Sequence, residues 1–172
     1  MKRVGFCAIL FLLALTGCNK PATPPPPPAA AYSGLPTAAQ PTLPTIKLWV
    51  GGKALTAEKA LTDVQEHTGM MFRTSNPPDH GMIFVYPEPQ QVAFWMMNCP
   101  LPLDAAYLDA NGTILELHDL EPFNTNSVIS SAMNIQYVIE TSRGWFKSNG
   151  IGVGTVVATE KGPLSSTFFG QH

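Results

Sequence analysis

Proline is spread so unevenly along this chain that its placement decides where packed structure can begin. Nine of the 17 prolines lie between Lys20 and Thr45, five of them in a row at Pro24 to Pro28. Proline has no backbone N–H and fixes φ near −65°, so such a run supports neither a helix interior nor a sheet ladder. Ala, Thr and Ser fill most of the remainder. The segment reads as a polyproline-II-like tether, reaching at most ~80 Å at ~3.1 Å per residue. Packed structure is therefore expected from Ile46 onward. That leaves about 127 residues, one domain's worth of chain and enough to bury a core.

The N-terminus carries an address. Lys2 and Arg3 precede an apolar run from Val4 to Leu15, too short for a comfortable membrane span. Leu15-Thr16-Gly17-Cys18 follows and resembles the bacterial lipobox. The resemblance implies cleavage before Cys18, acylation of its thiol and a stable membrane anchor, since each buried methylene contributes ~0.8 kcal/mol. With Asn19 next, it further implies an outer-membrane lipoprotein facing the periplasm, if the host is Gram-negative. The expected organisation is a signal peptide at 1–17, a lipidated Cys and tether at 18–45, and a globular domain at 46–172. Of three cysteines, Cys7 leaves with the signal and Cys18 is lipidated. Cys99 then has no partner for an intramolecular disulfide.

The domain alternates apolar runs with turns. Ile46–Val50 and Ala54–Lys59 read as strands around Gly51-Gly52, and Leu61–Met71 as a short helix capped by Thr62 or Asp63. Gly81–Tyr86, Val92–Asn98, Leu103–Leu108, Thr113–Leu117, Ile135–Thr141 and Val153–Thr159 read as further strands. Asp109-Ala110-Asn111-Gly112 is a hairpin turn. Residues 142–148 read as one or two helical turns, and 121–133 as irregular. The expected class is mainly β (α+β): a compact antiparallel β-barrel or sandwich with two short helices.

Several motifs then come in order: Gly69-Met70-Met71-Phe72-Arg73, Gly81-Met82-Ile83-Phe84-Val85, Phe94 to Asp104, Tyr107 to Gly112, Val138-Ile139-Glu140, Gly144-Trp145 and Asn149 to Gly154. Together they are similar to the domain of unknown function 192 family, over about Lys47 to Val157. The resemblance implies a compact, mostly β domain, often secreted or lipid-anchored, and no established activity. Met97 stands where the family usually has Lys, Cys99 where it has Thr, and Thr155 where it has Asp. A charge role for that Lys in relatives would be lost here.

Arg73, Asn98, Asp104 and Glu140 are polar residues inside apolar motifs, and with Trp95 and Trp145 they form the candidate binding cleft. Arg73 could grip an anion in bidentate fashion, Asn98 orient it, and Asp104 or Glu140 take a proton, as in an envelope hydrolase. The same residues could instead brace the fold, with Arg73 paired to Asp104 or Glu140. Cys99 could act as a nucleophile beside His118 or His80, or simply fill a small buried site. If residues 95–99 are a strand, Trp95, Met97 and Cys99 share a face, and Met97 with Cys99 offers soft ligands to copper, helped by Met70 or Met71. Core packing of methionine explains the same pattern, and no His or Cys spacing supports a metal centre or cofactor. Trp49, Trp145, Phe146, Phe168 and Phe169 could line a groove for a sugar or protein, or pack the rims of the sheet.

No phosphate loop, nucleophile elbow or metalloprotease motif is present in the sequence. Residues 46–172 hold seven basic and twelve acidic side chains, a net of −5 that disfavours nucleic acid. The expected function is a non-catalytic binding module of the cell envelope for a protein, peptide or glycan. The hydrolase and copper readings are the alternatives.

Overall fold

Burial alternates along the first strand because one face must cover apolar side chains while the other meets water. In the computed structural model, which describes residues 34–170, Thr45–Val50 forms β1 with Ile46, Leu48 and Val50 buried and Thr45, Lys47 and Trp49 exposed. Gly51 and Gly52, at φ +58° and +83°, turn the chain into β2 (Lys53–Ala60). The signal, Cys18 and Pro24 to Pro28 lie outside the described residues.

After β2 the chain crosses over through α1 (Asp63–Thr68) and returns as β3 (His80–Gln90), parallel to β2. A helical crossover is what parallel neighbours require. Thr62 caps the helix through the Gln65 N–H, while the Gln65 side chain accepts the Leu61 N–H. At the other end, Gln40 donates to the carbonyls of Gln65 and Gly69. The last stretch before β1 is therefore laid against the domain, and the packed unit starts at Leu35.

The remaining elements are β4 (Ala93–Phe94), β5 (Leu103–Leu108), β6 (Ile114–Leu120), β7 (Val128–Ile129), β8 (Ile135–Ser142), α2 (Trp145–Ser148), β9 (Val157–Thr159), β10 (Gly162–Pro163) and α3 (Leu164–Phe169). Eight strands form one sheet in the order β10-β9-β1-β2-β3-β8-β5-β6, and β4 pairs with β7 separately. Pro87 and Pro89 sit in β3 beyond its pairing with β2, where a missing N–H costs no bond on that side.

The fold is mainly β, as the sequence reading expects, with three corrections. The sheet is mixed rather than antiparallel, because β2 and β3 run together. It is not closed into a barrel: Thr113 bridges Val156, with Val157 N–H donating to Gly112 (2.8 Å), Ile114 N–H to Thr155 (2.9 Å) and Gly154 N–H to Ile114 (2.9 Å), but no ladder runs along β6 beyond Ile114. The helices number three among the described residues, the third being α3.

Apolar layers cover both faces of the sheet. Leu48, Leu55, Ile83, Ala106 and Ile139 form an inner layer closed by Trp145, Phe146 and Leu164. Met82, Phe84, Leu103, Tyr107 and Val138 form an outer layer covered by Met70, Phe94, Met96 and Cys99. Burying a large side chain contributes about 1.5–3 kcal/mol. The two layers together make the sheet a buried partition.

Candidate functional site

Strand register sorts the polar candidates, because residues directly opposite one another share a face. Asp104 lies opposite Asp119 and Thr141, while Glu140 lies opposite Met82 and Ala105. The two carboxylates thus project from opposite faces of the sheet. Arg73 joins neither. Its guanidinium makes a bidentate pair with Glu58, at 2.6 and 2.8 Å, and Glu58 also accepts the Leu43 N–H at 2.7 Å. Of the two sequence-level roles for Arg73, the structure places it in bracing, with Glu58 as its partner. A hydrolase site built from Arg73 with Asp104 or Glu140 finds no shared cleft in this arrangement.

Glu140 sits in the outer layer, 4% exposed. Burial pushes its carboxyl up to about 8, with no donor or charge offsetting it. The group is therefore largely protonated near neutrality. Cys99 lies in the same layer, and burial pushes its thiol up to about 11, away from a reactive thiolate. His80 bonds the Pro78 carbonyl, and His118 bonds Glu116 at 2.9 Å, so the structure shows neither activating Cys99.

Residues 95–99 do not form the strand that the copper reading needs. The ladder ends at Phe94, Asn98 adopts φ +58°, and Cys99 N–H folds back to the Met96 carbonyl at 3.1 Å. Met96 and Cys99 are both buried, while Met97 and Trp95 are half-buried. Asn98 acts through its carbonyl, which accepts the Phe72 N–H at 2.7 Å. No group of three or more His, Cys, Asp or Glu is placed to hold a metal among the described residues. Trp145 and Phe146, considered above for an exposed groove, are buried and pack edge to face. The Trp145 indole N–H donates to Asp79 at 2.9 Å. Trp49 is exposed, with the Lys47 ammonium 5.3 Å from its ring centre.

The site that the fold does build lies where the sheet fails to close. Beyond Ile114 the edge of β6 diverges from the segment after β8, leaving a shallow cleft of about 220 Å³. Asp104, Leu117, His118 and Asp119 line the sheet side, and Phe146, Lys147 and Ile151 the other. Asp104 and Asp119 stand directly opposite, an unfavourable pair of like charges. Arg143 relieves it: Nε lies 3.2 Å from Asp104 Oδ1, and Nη1 lies 3.9 Å from Asp119 and 2.9 Å from Glu121. Gly144 N–H donates to Asp104 Oδ2 at 2.7 Å. Burial raises the Asp104 carboxyl, helped by Asp119, while the Gly144 N–H and Arg143 pull it back.

Of the sequence candidates, Asp104, His118 and Phe146 line this cleft. Trp145 stands beside it, next to Gly144 in the loop that bonds Asp104. Sequence reasoning missed Arg143 and Asp119.

A family profile described as DUF192, uncharacterised, matches residues 46–159. A solved protein from Sinorhizobium meliloti, named only provisionally as a transcription regulator, is 29% identical with a TM-score of 0.65. That match covers 70% of this chain and 97% of the other. A protein of unknown function from Novosphingobium aromaticivorans is 24% identical with a TM-score of 0.63, over 73% of this chain and 93% of its own. At that identity the likeness speaks for the fold alone. No curated protein gives a significant match.

Proposed function

The chain belongs to the DUF192 family of uncharacterised proteins, and from that premise we propose that it is a non-catalytic binding module of the cell envelope, held there by an acylated Cys18. One observation carries the binding reading: the cleft at the β6 edge joins apolar walls to an array of charges, and its polar groups are arranged to hold rather than to react. No nucleophile with an adjacent base stands in it, as covalent catalysis would need. The wider chemistry agrees, since Arg73 is bonded to Glu58 and Cys99 is a buried thiol. The ligand is a protein, peptide or glycan of the envelope. The provisional regulator name of the Sinorhizobium neighbour is not carried over, because an acidic domain is poorly suited to a polyanion.

The test places a photoreactive side chain at Lys147, in the cleft lining, or at Lys53 at the start of β2, in the full lipoprotein within its native envelope. A discrete adduct is expected from Lys147 and not from Lys53, and Cys18→Ser should abolish both acyl labelling and the adduct. Equal labelling from both positions, or none from Lys147, overturns the binding reading. Acyl labelling that survives Cys18→Ser overturns the anchor.

A further inference from the structure

A buried acid with no donor is uncommon, because the lone pairs it takes from water go unmet. Glu140 is one: it is 4% exposed, and no hydrogen bond or ion pair among the described residues holds its carboxyl. It is not sealed, however. Asp104 Oδ1 and Arg143 Nη2 are closed off from water without a hydrogen-bond partner, and the Glu140 oxygens are not. Both oxygens therefore border space that a small group can occupy.

The surroundings withhold a partner. Register places Glu140 between Met82 of β3 and Ala105 of β5, with Glu58 beyond Met82 and His118 beyond Ala105. Alanine is the one short side chain in that row, and it stands beside the carboxyl. Two protein donors lie near enough for the Glu140 charge to disfavour their ionisation, and both point elsewhere. The Tyr107 hydroxyl donates to the Val128 carbonyl at 2.9 Å, and the Cys99 thiol to the Leu101 carbonyl at 3.8 Å. The charged and titratable groups of the same face are engaged too: Glu58 with Arg73, His118 with Glu116, and His80 with the Pro78 carbonyl. His67 of α1 lies against Trp95, 6.2 Å between ring centres.

The missing partner is a donor and a cation together, which is what an ammonium group carries. A residue so little exposed favours a slim head over a guanidinium or a quaternary ammonium. Seven basic against twelve acidic side chains in residues 46–172 draw cations to the domain. We propose that the Glu140 carboxyl is the floor of a small site for the end of a primary amine, whose ammonium supplies the hydrogen bonds and counter-charge that the protein does not. Glu140 is protonated when the site is empty near neutrality, so binding releases that proton to water and leaves a carboxylate–ammonium pair. The site lies on the face of the sheet opposite Asp104 and is independent of the β6 cleft.

The experiment follows the isotope-labelled glutamate carboxyl carbons of the full chain by NMR, the Glu140 signal being the one lost in Glu140→Gln. The free chain should show a midpoint near about 8. Saturating n-butylammonium should lower it by at least about one pH unit, and its affinity should rise about tenfold from pH 6 to pH 7, one proton leaving per ligand bound. Tetramethylammonium, n-butanol and potassium chloride should leave the midpoint in place. Glu140→Gln, which keeps the side-chain shape, should lose n-butylammonium binding. An ordinary carboxylate midpoint in the free chain, a midpoint that n-butylammonium leaves unmoved, the same shift from tetramethylammonium or n-butanol, or binding that survives Glu140→Gln overturns the inference.

Discussion

Glu140→Gln is expected to stabilise this protein, and by more the higher the pH. The carboxyl of Glu140 is held at about 8 by burial, against an ordinary 4.5. Between those values the unfolded chain has released the proton and the folded chain has kept it. The folded state binds more protons, so stability falls as pH rises through this window and levels off above about 8. The full loss is on the order of 3–5 kcal/mol, and glutamine removes it at a smaller fixed cost for an unpaired amide. Glu66, raised to about 7 chiefly by burial, adds a slope of the same sign, so the comparison must be with the variant and not with pH alone. Urea unfolding at pH 5, 7 and 9 should show the two proteins nearly alike at pH 5 and Glu140→Gln clearly ahead at pH 9. Parallel curves across that range would show that Glu140 is not a buried acid in the folded state.

Gly81→Ala should be among the most damaging single-methyl additions in the domain. Gly81 lies in β3 between Ala57 of β2 and Thr141 of β8. A Cβ there would overlap the backbone carbonyl of Glu140 and crowd Thr141. A carbonyl in a central ladder cannot swing aside as a side chain can, so β3 and β8 must separate where the sheet is most buried. The expected loss is about 3–5 kcal/mol, or no folded protein at all. Gly52→Ala is the control: Gly52 is left-handed at φ +83° with nothing within 4 Å of the added carbon, and its cost should stay near 1 kcal/mol. A Gly81→Ala midpoint within about 1 kcal/mol of the parent would contradict the packing described here.

Much of the fold can be read from apolar runs, and its errors have physical causes. Leu103–Leu108 and Ile135–Ser142 are buried on both faces, and their largely apolar runs, interrupted by Asp104, Gln136 and Glu140, read as strands. Val92–Asn98 shows why alternation alone misleads. Val92, Phe94 and Met96 are indeed the buried residues, but the ladder stops at Phe94. Met96 N–H goes to Asn124, and Ser130 N–H to the Val92 carbonyl. The periodicity reported burial, and the backbone found its partners in loops. α3 lacks a side-chain cap, so nothing local announces it. The parallel β2–β3 pair follows from a crossover whose helix is only six residues long.

The candidate site was half legible. Asp104 stands out as an acid in an apolar strand. Its neighbour could also have been found. Counting outward from Asn111-Gly112 along the hairpin sets Asp104 opposite Asp119, as the structure does. Two aspartates facing each other call for a cation, and Arg143 supplies it. The partner of Arg73 was not legible, because Glu58 reaches it only through the parallel crossover that sequence pattern does not reveal. The absence of closure was hidden for a similar reason. Thr113 and Val156 meet at a single bridge, and nothing local distinguishes one bridge from a full ladder.

Amide hydrogen exchange on the full chain, compared between the cell-envelope fraction and the purified state, tests most directly whether the open seam is the working surface of the proposed binding module. Added protection in the envelope is predicted within residues 115–121 and 145–151, on the two sides of the cleft. Protection confined to other surfaces, such as 61–75 and 95–101 around Arg73 and Cys99, or none at all, would contradict it.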